Sequence, residues 1–263
     1  MASVLKKAIL NLATSLGYQL TPHWRLATHP QATYLNQLLR WLDIDCVFDV
    51  GANTGQYRDF LRRNVEYDGT IVSFEPIPEH VELLRERART DKKWHIEGYA
   101  LGSTNGEAAF NVMAGSQFSS FLEADHSSTK EFSTMNVVQR QVTVQVRTLE
   151  SVLPELQRRL GFSALYLKLD TQGYDMEVAK GAGAAMRAVR GLQTEASVTP
   201  LYTGAPDYCA AIGTFRSLGF ELSGLFPNNP HHFPRLHEFD CHMIALDFCP
   251  PAYSGPEMRT SRA

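Results

Sequence analysis

The sequence has few cysteines and no long hydrophobic run. Its four cysteines are far apart and form no C-x-x-C pair, so neither a disulfide framework nor a zinc site is expected. Polar residues (Asn11, Thr14 and Ser15) interrupt the moderately apolar N-terminal stretch, and no clear cleavage site follows. We therefore predict no signal peptide and no membrane span, and we expect a cytoplasmic protein with reduced cysteines.

A surplus of basic residues is also absent. The net charge is −3 and the sequence shows no basic stripe, which disfavours nucleic acid as the main partner. The 263 residues are 44% hydrophobic, enough for one large domain with a substantial core. We predict N-terminal helices over residues 1–43, a main domain over 44–249 with an insertion at 103–147, and a loose tail over 250–263.

No G-x-G-x-x-G motif or P-loop lysine is present, yet residues 45–61 read as strand, glycine turn and helix. Gly51 permits a tight turn, and Gly55 permits a ligand or the strand to approach the helix start. Asn53 can cap the first free N–H groups of that helix. This arrangement predicts a nucleotide-sized pocket at the carboxyl end of the strand.

The next strand, residues 69–74, ends at Glu75 and Pro76, about 20 residues beyond the glycine turn, which is the spacing of an acid that binds ribose hydroxyls. Together with Asp49 it makes the expected pocket acidic. An acidic pocket suits a cationic adenosine ligand such as S-adenosylmethionine better than a pyrophosphate. The alternative for Glu75 is an acid that interacts with the dipole of the following helix.

From residue 45 onward, strands and helices alternate, which predicts a doubly wound α/β sheet. We expect the third strand near 94–98 to close at 99–102, beside the adenine, and a helix from 171 to about 190. The link at 227–230 is too short for a crossover helix, so the last two strands should be antiparallel. Apolar residues at helical spacing over 5–16 and 34–42 predict two N-terminal helices that pack on the core, form a homodimer contact or cover the cofactor.

The alternation of parallel strands and helices stops after Gly102. Residues 107–112 and 142–146 alternate apolar and polar side chains, which indicates a paired ribbon. The stretch between them, 113–140, is rich in Ser and Thr, and a segment of this length in a compact domain is typically functional or mobile. We interpret it as a substrate-covering segment, with Ser119 and Ser120 as candidate substrate contacts; the alternative is an irregular surface insertion.

Five stretches, taken in order, resemble the FkbM family of S-adenosylmethionine-dependent methyltransferases. The resemblance extends over about residues 44–248 and implies a Rossmann-like class I methyltransferase fold with a mixed seven-stranded sheet. It also implies O-methylation of a sugar, polyketide or other small-molecule hydroxyl, with Ala100 and Leu101 near the adenine. The stretches are residues 48–55, 74–76, 100–102, 167–173 and 193–195.

Methyl transfer to an alcohol requires loss of the hydroxyl proton. Asp170 and Glu195 end neighbouring strands, so we expect both at the acceptor side of the pocket. Either one acts as general base, or the pair holds a divalent ion such as Mg²⁺ that lowers the hydroxyl pKa. The alternatives are that Asp170 caps the following helix and that Glu195 pairs with Lys168.

Other candidates lie near the end of the chain. Four histidines, His231, His232, His237 and His242, cluster there, and His232 in the loop with Asn228 is a candidate base unless the pair is simply solvated. Asn228 and Tyr202 are candidate substrate contacts, although packing of the Tyr202 ring in the core is the alternative. Two other functions stay open: a nicotinamide-dependent oxidoreductase and a non-catalytic nucleoside-binding module.

Overall fold

Ten strands form two sheets in the part of the chain that the computed structural model describes, residues 12–13, 15–18, 20–22, 26–127, 132–228 and 234–249. The strands are β1 (Cys46–Val50), β2 (Thr70–Phe74), β3 (Trp94–Glu97), β4 (Ala100–Leu101), β5 (Gly106–Met113), β6 (Val138–Arg147), β7 (Leu165–Leu169), β8 (Val189–Ser197), β9 (Phe220–Pro227) and β10 (Glu238–Ala245). Seven of them make the main sheet, in the order β3-β2-β1-β7-β8-β10-β9. The predicted mixed seven-stranded α/β sheet is confirmed.

The strand directions are those predicted. β3, β2, β1, β7 and β8 are parallel, whereas β10 is antiparallel to both of its neighbours. Every residue of β1 and β7 is buried, and all of them except Asp49 and Lys168 are apolar, because helices cover both faces of a doubly wound sheet. The carboxyl ends of the parallel strands therefore meet at one edge.

Six α-helices lie in the described part of the chain. They are α1 (His29–Trp41), α2 (Gln56–Phe60, continued by a π-helical turn over Leu61–Val65), α3 (Pro78–Ala88), α4 (Leu149–Leu160), α5 (Asp175–Ala182) and α6 (Tyr208–Ser217). The N-terminal helix predicted over 34–42 corresponds to α1, and its Leu35, Leu38 and Leu39 are buried in the core beside Val47. Most of the first predicted helix, over 5–16, lies outside the described residues.

The predicted ribbon is confirmed and belongs to a second sheet, in the order β4-β6-β5. One expectation is wrong here: Ala100 and Leu101 do not close the third strand of the main sheet. They form β4, which pairs in parallel with β6, and the N–H of Gly102 donates to the carbonyl of Arg147 (3.0 Å). The segment that follows β3 is thereby held by the ribbon and not by the main sheet.

The helix predicted to run to about residue 190 ends earlier. α5 stops at Ala182 and a 3₁₀ segment, Gly183–Ala188, leads into β8. Two glycines at 181 and 183 weaken the helix, and the Glu150 carboxylate accepts the N–H of Ala184 (3.0 Å). No helix among the described residues is long and apolar enough to cross a membrane.

Candidate active site

A cavity of about 650 Å³ lies where the parallel strands of the main sheet end. α1, the antiparallel strand β10 and residues 115–122, here called the cover segment, complete its wall. The predicted site residues in this wall are Gly51, Asn53, Glu75, Pro76, Ala100, Leu101, Ser119, Asp170, Glu195 and Asn228. The structure therefore brings ten predicted residues to one cavity.

Glu75 lies at one end of the cavity and is held rigidly. One carboxylate oxygen accepts the N–H of Asn53 (2.8 Å) and the other accepts the N–H of Ile77 (2.9 Å). The imidazole Nδ1 of His80 lies 3.6 Å from the second oxygen. Each carboxylate oxygen has two lone pairs, so each retains capacity for one more hydrogen bond from a ligand.

Gly51 makes the turn after β1 in a left-handed backbone conformation (φ +80°). A Cβ atom at this position would lie 2.0 Å from the carbonyl oxygen of Asp170. The turn after β1 and the turn after β7 thus touch backbone to backbone, which no other residue type at position 51 would permit.

Two residues predicted to bind the cofactor lie outside the cavity wall. Asp49 is completely buried and accepts hydrogen bonds from Ser73 Oγ and from Lys168 Nζ, both at 3.0 Å. Its side chain lies on the same face of the sheet as those of Ser73 and Lys168, its register partners on the two neighbouring strands. The missing side chain of Gly55 makes room for Arg87 and Trp94 rather than for a ligand.

The opposite end of the cavity is acidic. Besides Asp170 and Glu195, Glu238 and Asp240 line it. Asp240 lies directly opposite Glu195 in the β8–β10 register, where like charges destabilise a sheet. Sequence reasoning missed both β10 acids, although the E-x-D spacing on a strand places the two side chains on one face.

Burial raises the pKa of three of these carboxyls. The pKa of Glu195 lies well above its usual range, because the group is desolvated and Glu238 and Asp170 add negative charge. Burial and the charge of Asp170 raise the pKa of Glu238 to about 7. Burial also raises the pKa of Asp240, although the hydrogen bond from Gln31 by itself lowers it. This end of the cavity can therefore take up a proton near neutral pH.

Amide side chains satisfy these carboxylates. Gln172 Nε2 donates to Asp170 Oδ1 (2.9 Å) and to Glu195 Oε2 (2.8 Å), and Asn228 Nδ2 donates to Glu195 Oε1 (3.0 Å). Gln31 Nε2 lies 2.6 Å from Asp240 Oδ2. The alternative in which Glu195 pairs with Lys168 is wrong, since Lys168 Nζ lies 3.3 Å from Asp170 Oδ2 and contacts Asp49.

The donor set does not fit a divalent ion. No group of three or more His, Cys, Asp or Glu side chains among the described residues is arranged to hold a metal. N–H donors of Gln172 occupy the place between Asp170 and Glu195, where a cation would need oxygen ligands.

Of the four histidines named as candidate bases, the structure describes two, and neither faces the cavity. His231 and His232 lie outside the described residues, and neither His237 nor His242 lines the cavity. His242 is fully buried with its Nδ1 2.6 Å from the Tyr166 hydroxyl, and burial lowers its pKa to about 3. It is therefore neutral and sealed from any acceptor. Among the described residues of the wall, His80 is the one histidine, and it lies at the Glu75 end.

Two predicted substrate contacts also lie behind the wall. Ser120 is completely buried and donates to the carbonyl of Gln172 (2.8 Å). Tyr202 is 4% exposed, so the packing alternative holds for its ring, and its hydroxyl lies 2.7 Å from the carbonyl of Phe118 and 2.9 Å from Gln172 Oε1. Both residues support the cavity wall instead of facing a ligand.

Comparisons with known proteins identify the family. Three solved structures are similar at low identity. Fibrillarin of Aeropyrum pernix with natively bound S-adenosyl-L-methionine is 16% identical with a TM-score of 0.43, and the match covers 81% of this chain and 73% of that chain. A putative O-methyltransferase of Klebsiella pneumoniae is 13% identical (TM-score 0.42, covering 91% of this chain and 89% of that chain), and magnesium protoporphyrin IX methyltransferase of Synechocystis PCC 6803 is 8% identical (TM-score 0.43, covering 91% of this chain and 96% of that chain). No curated protein sequence matches this chain. The Methyltransferase FkbM domain matches residues 49–222, well over half of the 263 residues. The chain belongs to the FkbM family of S-adenosylmethionine-dependent methyltransferases.

Proposed function

We propose that this chain transfers the methyl group of S-adenosylmethionine to a hydroxyl group of a small molecule. The observation that carries the proposal is the cavity of about 650 Å³ that has Glu75 at one end and the acidic residues at the other. Ligand pockets typically enclose about 300–1,000 Å³. One compartment can therefore hold both an adenosine group and a small acceptor.

The adenosine group binds at the Glu75 end. The carboxylate oxygens of Glu75 retain one lone pair each, which suits the two neighbouring hydroxyls of a ribose. Ile77, Ala100, Leu101 and Phe110 make the adjoining wall apolar, which suits a flat purine ring. These residues supply binding and orientation; the bound cofactor itself supplies a methyl group on an already activated sulfonium.

The acceptor hydroxyl binds at the acidic end. As the oxygen forms its bond to the methyl carbon, the carbon–sulfur bond breaks and the hydroxyl proton passes to a carboxylate, for which Glu195 and Asp170 are the candidates. A base whose pKa lies near the operating pH is the more effective one, and burial moves Glu195 in that direction. Holding the acceptor in line can itself lower the barrier by up to about 7–11 kcal/mol.

The acidic end favours a hydroxyl over an amine. A neutral amine needs no base to attack a methyl group, whereas an alcohol gains from one, and this end presents four carboxylates, of which Glu238 is buried. Amide groups of Gln31, Gln193 and Asn228 also line it. Such a wall suits a polar, hydroxyl-bearing acceptor such as a sugar, and polyketide hydroxyls are the second class to test.

Because the carboxylates are bridged by an amide, we propose proton removal by a carboxylate and not through Mg²⁺. Turnover with EDTA tests this directly. We expect activity to persist in EDTA, and a loss that added Mg²⁺ restores would contradict it.

The experiment for the whole proposal is transfer of labelled methyl groups from S-adenosylmethionine to a panel of sugars, polyketides and amines. We expect label on a hydroxyl oxygen of at least one panel member. Transfer to amines alone would refute the hydroxyl assignment. Cofactor binding without transfer across a broad panel would favour the non-catalytic module.

A further inference from the structure

Gln172, at the end of β7, has an unusual backbone conformation. Its φ is +54°, a left-handed value that is unfavourable for a residue with a side chain. Such conformations persist where the surroundings hold them, and they concentrate at functional sites. The neighbouring Gly173 is left-handed as well (φ +85°), so the turn after β7 places two consecutive residues in this region and only one of them is a glycine.

The side chain of Gln172 explains why this conformation is held. Its two N–H groups donate to Asp170 Oδ1 (2.9 Å) and Glu195 Oε2 (2.8 Å), and its Oε1 lies 2.9 Å from the hydroxyl of Tyr202. Both N–H donors and the acceptor of the amide are thus engaged. The amide fixes the separation and the orientation of the two carboxylates.

The same residue is tied to the cover segment. Tyr202 Oη lies 2.7 Å from the carbonyl of Phe118, and Ser120 Oγ donates to the carbonyl of Gln172 (2.8 Å). Burial raises the pKa of Tyr202 above its usual range, so the phenol is a neutral donor throughout the working pH range. Phe118 itself lines the cavity. One chain of contacts therefore runs from the cover segment, through Tyr202 and Gln172, to the carboxylates.

We propose that Gln172 is a positioning residue that sets the geometry of Asp170 and Glu195 for the acceptor, and that Tyr202 makes this geometry depend on the seated cover segment. The inference rests on the proposed function, since the carboxylates are the candidate bases. An N–H donor favours the ionised over the protonated form of a carboxyl, so Gln172 also offsets the repulsion between the two groups. The two carboxylates then have this geometry only when the cover segment is packed against Tyr202.

The decisive variant is Gln172→Glu, which keeps the shape of the side chain and replaces its donors by a third carboxylate. We expect kcat to fall about 10- to 100-fold, the effect of losing a hydrogen bond to a charged group, with the KM for the acceptor within about threefold. The acidic limb of the kcat–pH profile should move to higher pH. A purely structural role would lower the melting temperature and leave that limb in place.

A second readout does not need turnover. Carbon-13 NMR titration of the Glu195 carboxyl, in protein bound to S-adenosylhomocysteine, should show its midpoint at higher pH in Gln172→Leu than in the parent. The charged groups that face Glu195 stay the same in this comparison. They are Asp170, Asp175, Glu238 and Asp240.

Tyr202→Phe tests the link to the cover segment. Loss of the hydroxyl should speed amide hydrogen exchange over residues 115–122 about tenfold and move the kcat–pH limb in the same direction as Gln172→Glu. The matched control is Tyr208→Phe, at the exposed start of α6, which should change neither. Gln172→Leu should also move the acidic limb of the kcat–pH profile, but it should speed hydrogen exchange over residues 115–122 less than Tyr202→Phe does.

The outcomes separate this inference from the proposed function. A folded Gln172→Glu variant with parental kcat and an unmoved pH limb would overturn the positioning role while methyl transfer stands. Unchanged exchange in Tyr202→Phe would overturn the link to the cover segment. If the parent transfers no methyl group, the proposed function fails, and an unmoved Glu195 titration in Gln172→Leu overturns the positioning role independently.

Discussion

Lys168 offers the sharpest test of how the site is held, because its charge is almost fully buried. The side chain is 4% exposed, and Nζ lies 3.0 Å from Asp49 Oδ1, 3.3 Å from Asp170 Oδ2 and 3.3 Å from the carbonyl of Gly51. Lys168→Met keeps the length of the side chain and removes its charge. Asp49, which has no solvent exposure, would then keep Ser73 as its hydrogen-bond donor and lose its counter-charge.

We expect Lys168→Met to lower the free energy of unfolding by about 3–5 kcal/mol, the cost of leaving a buried charge without its partner. Urea denaturation at pH 7, followed by circular dichroism, measures this difference. The double variant Lys168→Met/Asp49→Asn should recover part of it, because it removes the stranded charge as well. A loss below about 1 kcal/mol for the single variant would refute the reasoning, since that is the range of an exposed pair.

The control is Lys180→Met on α5, whose side chain is 67% exposed and pairs with Glu177. Exposed ion pairs contribute at most about 1 kcal/mol, so this variant should unfold at nearly the parental urea concentration. A similar loss in both variants would show that the effect comes from removing any lysine.

Three further predictions concern the cavity. Position 51 has a left-handed backbone and no space beside the Asp170 carbonyl, so Gly51→Ala should lower the melting temperature sharply. The control Gly213→Ala, in an open position on α6, should raise the free energy of unfolding by up to about 1 kcal/mol, and equal effects of the two variants would contradict the clash. Asp170→Asn should bind S-adenosylhomocysteine with an affinity near that of the parent and turn over at least tenfold more slowly, and parental turnover would exclude Asp170 from the chemistry. Folding raises the pKa of Glu238 from 4.5 to about 7, so this carboxyl makes the protein less stable as the pH rises through that window. Glu238→Gln should therefore be more stable than the parent at pH 8, by an amount on the order of 3 kcal/mol, and the difference should vanish below pH 4.5; urea denaturation without this pH dependence would refute it.

The main sheet could be predicted because its signals are local. Residues 46–50 and 165–169 are short runs that are apolar except for Asp49 and Lys168, and each is followed by a turn. This pattern is typical of strands buried on both faces. The glycine turn and Glu75 lie within one strand–helix–strand unit, so their relation could be inferred from spacing alone. The antiparallel last strand followed from the short link before it.

The acidic end of the cavity could be predicted only in part. Asp170 directly follows the parallel strand β7, and Glu195 lies near the end of the parallel strand β8. Glu238 and Asp240 reach the same place from the antiparallel strand β10, which lies between β8 and β9. Which face of that strand meets the cavity depends on its register against β8, and the register is set by tertiary packing. The predictions for Asp49 and Gly55 were wrong for a related reason. Asp49 is buried by contacts with Ser73 and Lys168, and Gly55 packs against Arg87 and Trp94, all of which are distant in sequence.

The contacts of Gln172 were equally inaccessible. Its motif marked the turn after β7 and its neighbour Asp170, but the other partners of its amide come from β8, from the stretch around Tyr202 and, through it, from the cover segment. None of these is close to residue 172 in sequence. The separation of β4 from β3 likewise depends on pairing with β6, which lies at the far end of the insertion.

Calorimetric titration with S-adenosylhomocysteine, with NAD as the control ligand, tests the central claim most directly when it is done on the parent and on Glu75→Ala. We expect the parent to bind S-adenosylhomocysteine and not NAD, and Glu75→Ala to bind about 100-fold more weakly, as expected for loss of hydrogen bonds to a charged group. Circular dichroism of the variant shows that it is folded. Parental affinity in a folded Glu75→Ala, or no binding by the parent, would contradict the placement of the cofactor in this cavity.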